Sequence, residues 1–125
     1  MYGSGLFRLQ EGAIYGTIEY VRIIRLPDFV AWFESLSVKG QLQVDARILR
    51  VQEHGHFGDV RNLGDGLAEM KWKNGWRVYF GYLKVDADEA VLLVLGGNKN
   101  GQEKDIKKAR VLLERFTTDA SQARG

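Results

Sequence analysis

At 125 residues, 45% apolar and 27% charged, the chain has the length and composition of one globular domain that buries its own core. It has no cysteine, which excludes a disulfide framework, and no apolar run approaches the roughly 18–20 residues that span a bilayer. The net charge of +2 permits contact with a nucleic acid without demanding it, although twelve of the 18 basic residues lie beyond residue 60.

The opening MYGSGLFRLQEGAIYG has glycines at 3, 5, 12 and 16 and no sustained period. It reads as a flexible arm over 1–16, with an edge strand at 6–10. It lacks a basic region followed by an apolar stretch, so a cytoplasmic protein is expected. TIEYVRIIRL, 17–26, is rich in β-branched residues and predicts a strand stopped by Pro27. Asp28 is the expected N-cap of a helix that places Phe29, Trp32, Phe33 and Leu36 on one face. A second helix is expected over 40–52, with Leu42, Ala46 and Leu49 as its stripe and Val44, Ile48 and Val51 widening it.

HGHFGD ends that helix. VRNLG, 60–64, suits a short strand, and GLAEMKW and WRVYFGYLKV flank a KNG turn. AVLLVLG, 90–96, is continuously apolar, as in a strand covered on both faces. A last helix over 102–116 lines up Ile106, Ala109, Leu113 and Phe116, and 117–125 reads as a polar tail. The expected fold is α+β: a helical hairpin on a mostly antiparallel sheet with a C-terminal helix, in the order β-α-α-β-β-β-α. The domain is placed at 17–116.

Arg77 stands inside an aromatic strand, and the turn before it decides where it points. A three-residue loop, Lys73-Asn74-Gly75, pairs Trp72 with Trp76, Met70 with Val78 and Ala68 with Phe80 on one face. The other face then receives Lys71 opposite Arg77 and Glu69 opposite Tyr79, beside Gly81, as a polar surface. A solvated cross-strand ion network is one reading of that face, and an anion site is the other. Two opposed cations repel unless an anion lies between them, which favours the anion site.

No metal is expected from His54 and His56, because no cysteine joins them. The glycines at 58, 64 and 66 lack the strand-to-helix setting of a phosphate loop. Trp32, Phe33, Trp72 and Trp76 are expected in the core. Lys104, Lys107, Lys108 and Arg110 mark the outer face of the last helix.

Three ordered segments carry a resemblance. FGDVRNLGDGLAEMKW follows a G-D-x-K/R-x-x-G-x-G-x-x-E run, NGWRVYF a G-Y/W-R-V-Y-F/Y run, and LGGNKNGQEKDIKKA a G-G-x-K-x-x-Q-x-x-D-I-x-x-A run. Over about 18–116 the chain resembles the RelE/ParE superfamily of toxins from type II toxin–antitoxin modules. It is most similar to the HigB-like "addiction module killer" branch.

The resemblance implies a RelE-like fold and a ribosome-dependent mRNA endonuclease that inhibits translation and needs no cofactor. Its partners would be mRNA on the ribosome and a cognate antitoxin, often a helix-turn-helix DNA-binding protein, with the toxin a monomer within that complex. In ribonuclease members the 2′-hydroxyl attacks its own 3′-phosphate and leaves a 2′,3′-cyclic phosphate. By the same resemblance Arg77 would clamp the scissile phosphate, with Lys71 and Lys99 as further phosphate ligands. Tyr79 and Glu69, with Lys71, are the proton-carrier candidates, and Arg61, Lys73 and Lys104 the RNA-binding candidates. No histidine or tyrosine follows Tyr82, unlike many ribonuclease members. A ParE-like gyrase inhibitor, or a non-catalytic homologue acting by protein binding, therefore stays open as the alternative.

Overall fold

The computed structural model describes residues 21–85 and 88–124. The arm at 1–16, the strand at 6–10 and the beginning of the 17–26 strand lie outside them. The first described element is β1 (Arg22–Arg25), followed by α1 (Pro27–Ser35) and α2 (Val38–His54). Pro27 occupies the first turn of α1, where its missing N–H costs nothing, so the N-cap is Leu26 and not Asp28. The Ser37 side chain caps α2 by accepting from the Gly40 N–H, and Gly55 ends that helix in the left-handed region, at φ 70°.

Four strands follow: β2 (Val60–Gly64), β3 (Leu67–Lys71), β4 (Trp76–Val85) and β5 (Asp88–Asn98). A short 3-10 turn over Lys99–Gly101 leads into α3 (Gln102–Arg124). The order therefore holds one strand more than β-α-α-β-β-β-α, because 60–64 pairs with β3, with a register shift between Asn62 and Gly64. Residues 117–124, read as a tail, continue the last helix.

The sheet runs β1-β5-β4-β3-β2, with β1 parallel to β5 and the remaining pairs antiparallel. β5 is an inner strand, buried from Ala90 to Gly96, as its unbroken apolar run requires. One face of the sheet packs on α1 and α2 through Phe29, Val44, Ile48, Val51, Phe57, Met70, Val78, Phe80, Val91 and Leu93. The other packs on α3 through Leu67, Tyr79, Leu92, Val94, Leu95, Ala109 and Leu113.

The stripe expected on α2 is rotated. Leu42 and Leu49 are 64% and 49% exposed, while Gly40, Val44, Arg47, Ile48 and Val51 are buried. Val44, Ile48 and Val51 follow a helical stripe of their own, and Gly40 joins it because the Trp76 ring needs the space. A Cβ on Gly40 would stand 2.9 Å from Trp76 Cη2. Arg110 also departs from the outer face expected for it, donating to the carbonyls of Leu63 (2.5 Å) and Gly64 (3.1 Å).

Candidate functional site

The β3–β4 connection sets the site, and it has the expected three-residue form. Trp72 N–H donates to the Trp76 carbonyl and Gly75 N–H to the Trp72 carbonyl, both at 3.0 Å. Gly75 takes φ 105°, open to glycine alone at little cost. The register pairs Lys71 with Arg77, Glu69 with Tyr79, Met70 with Val78 and Ala68 with Phe80. Arg77 and Lys71 thus share the face turned away from the helical hairpin.

That face is not the open polar surface expected of it. α3 lies across it, and Glu69 and Tyr79 are both 0% exposed. Gly81 makes room for the helix rather than for a polar group: a Cβ there would stand 2.8 Å from Leu113 Cδ1. Glu69 accepts from Arg61 Nε at 2.7 Å and from Gln102 Nε2 at 2.9 and 3.0 Å. Both of its oxygens are engaged, so it is a buried structural anion and not a free base. Arg61, its side chain 52% exposed, is committed to that pair through Nε.

Tyr79 is no better placed as a proton carrier. Its hydroxyl is buried without a hydrogen-bond partner. Burial pushes its pKa up, and the negative charges of Glu69 and Asp105 push it further, with Arg77 and Arg61 opposing. The phenol stays protonated and shielded.

What remains at the helix-start end of the sheet is mainly cationic. Arg77 is half-buried. Its Nη1 donates to the Trp76 carbonyl at 3.0 Å, while its Nε is buried with no partner. Among the described residues no carboxylate pairs with Arg77, Lys71 or Lys99. Lys99 N–H donates to the Gly75 carbonyl at 2.8 Å, and the lysine stem lies over that glycine. The start of α3 is thereby tied to the hairpin tip, which brings Lys99 to the Arg77–Lys71 end. Lys73, on the hairpin loop, and Lys104, in the first turn of α3, are exposed.

Two residues at this end were missed from sequence. Asp105 sits where a side chain on Gly97 would sit, and Gly97 is the register partner of Arg77. Burial raises the Asp105 pKa, against the opposing charges of Lys108 and Lys104. The signal was spacing, because Asp105 lies on the stripe of Ala109 and Phe116, where an acid is out of place.

The second is Arg47, 8% exposed on α2. It donates to the carbonyls of Phe57 (2.9 Å), Asp59 (2.8 Å) and Lys71 (2.5 Å), and its guanidinium lies 4.2 Å from the Trp72 ring centre. Desolvation lowers its pKa from a high starting value. Gly58, at φ 77°, clears the space for it. Above Arg47 a cleft of about 680 Å³ opens between α2 and the hairpin loop.

His54 and His56 lie with ring centres 6.0 Å apart, and among the described residues no group of three or more His, Cys, Asp or Glu gathers to hold a metal. No helix among the described residues is long and apolar enough to cross a membrane. No family model and no solved structure gives a significant match to the chain. A Haemophilus influenzae protein with the name "Uncharacterized protein" is 37% identical to it over 87 residues, covering 69% of this chain and 86% of that protein. The chain belongs to the same protein family as this H. influenzae protein.

Proposed function

We propose that this protein is the toxin of a type II toxin–antitoxin module, an mRNA endonuclease that acts on the ribosome and is held in check by a cognate antitoxin. The observation that carries this reading is the state of Arg77. A half-buried guanidinium has a buried Nε without a partner, no salt bridge to a carboxylate among the described residues, and Lys71 directly opposite. Two cations held together in this way repel, and a phosphate between them turns that cost into binding energy. Lys99, fixed over the hairpin tip, adds a third positive charge to the same end.

The reaction this arrangement suits is transesterification within RNA. The 2′-oxygen forms a bond to phosphorus, the bond to the 5′-oxygen breaks, and the products carry a 2′,3′-cyclic phosphate and a 5′-hydroxyl. One proton passes from the 2′-oxygen to solvent water, and one reaches the 5′-oxygen from the protein. Arg77 neutralises the charge that builds on the phosphorane oxygens through its planar fork. The Lys71 ammonium takes the role of proton donor to the leaving oxygen, because Tyr79 and Glu69 are sealed under α3. Inducing the gene and mapping mRNA 5′ ends tests the reading. New ends within coding sequence are expected with the wild type and none with Arg77→Ala. Growth arrest with intact transcripts would sink it.

A further inference from the structure

The cleft above Arg47 is lined by Gln43, Arg47, Arg50, Asp59, Lys71, Trp72, Lys73 and Asn74, with Ala46 and Gly58. Three cationic side chains, Arg47, Arg50 and Lys73, meet a single carboxylate there, and Lys71 takes part through its carbonyl, which accepts from Arg47. Arg47 is fixed as a positive charge in the floor by three backbone carbonyls, so its charge costs no reorganisation when an anion arrives. Arg50 and Lys73 stand exposed at the walls, and neither has a side-chain ion-pair partner among the described residues. Gln43 and Asn74 add uncharged amides that serve as donors or acceptors.

Lys71 belongs both to this lining and to the pair with Arg77. The cleft and the phosphate clamp therefore meet at the end of this hairpin, the cleft on the α2 side of the sheet and the clamp on the α3 side. We infer that this cleft is the track that holds the single-stranded RNA segment flanking the scissile phosphate, gripping its phosphodiester backbone through Arg50 and Lys73. The inference rests on the nuclease reading for its substrate, but its contacts are separate from the reacting groups. Fixed charge without base-edge donors arranged in a row favours a backbone grip over sequence readout.

The test is a fluorescence-anisotropy titration of the full-length protein with a labelled, all-2′-O-methyl, single-stranded RNA oligonucleotide. Such a strand has no free 2′-hydroxyl and cannot be cut. Wild type is expected to bind with a strong salt dependence. Arg50→Ala/Lys73→Ala is expected to bind about tenfold more weakly at low salt, with the slope of log K against log salt reduced by about 1.4. Its thermal midpoint should match wild type, because both side chains are exposed. No binding by the wild type, or equal binding and slope in the double variant, would overturn the inference, as would preference for an acidic peptide over the oligonucleotide. Cleft-dependent binding without cleavage of ordinary mRNA would leave the track standing and remove the nuclease.

Discussion

Arg77 is held in a position that is poor for stability, and that is the reason to look for function there. A half-buried cation facing Lys71 gains little from the fold. Arg77→Met should keep the apolar stem and leave the denaturation midpoint unchanged or slightly raised, measured by urea unfolding, while mRNA cleavage is lost. Tyr79 gives the contrasting case. Its buried hydroxyl lacks a partner, so Tyr79→Phe should gain about 1 kcal/mol in the same unfolding measurement and keep cleavage. Loss of cleavage in a well-folded Tyr79→Phe protein would return the phenol to the mechanism.

Asp105 has a folded-state pKa above its unfolded one, so the folded chain binds more protons than the unfolded chain over that interval. Its contribution to stability is greatest below the unfolded pKa and declines as pH rises through the folded one. Against wild type, Asp105→Asn should therefore become relatively more stable as pH rises from about 4 to 7, read from thermal midpoints across that range. The side of the sheet taken by Arg77 was legible because alternation along a strand has one period and the loop fixed its phase. Asp105 was passed over despite its place on the apolar stripe, because an acid in a first helical turn ordinarily complements the dipole, which masks its position against the sheet.

At the scale of elements, much of the glycine- and acid-rich pattern that drew attention in the sequence builds the scaffold. Arg61, Glu69 and Gln102 join β2, β3 and α3 through one buried carboxylate. Gly96 and Gly97 clear space for Trp32 and Asp105. Gly58 clears space for Arg47, which joins α2 to the segment entering β2 and to the end of β3. Arg47→Leu leaves three carbonyls without their donor and should cost about 3 kcal/mol or more, measured by denaturant unfolding. Gly58→Ala, forced into the left-handed region against the guanidinium, should cost about 1–3 kcal/mol. Helix and strand identities were legible from period and turn chemistry. The working face of α2 was not, because its sequence carries two apolar stripes and only the contacts with Trp76 and the sheet choose between them.

Across the whole molecule, the sheet is covered on both sides, by α1 and α2 on one and α3 on the other. The face expected to be wet opens where α3 begins, and there the cations Arg77, Lys71 and Lys99 gather, with the cleft bearing Arg50 and Lys73 on the α2 side of the same hairpin end. Cover from α3 turns most of that sheet face into core and leaves a short charged opening at its end. An opening of this kind fits a flexible anionic strand better than a broad duplex, and association should weaken as salt rises. The most direct test of the phosphate clamp is the single-turnover cleavage rate of ribosome-bound mRNA by the purified wild-type protein and by Arg77→Lys, which keeps the charge and loses the fork. A loss of about a hundredfold or more with an unchanged melting temperature is expected. An equal rate in the two proteins, or no cleavage by the wild type, would contradict the account.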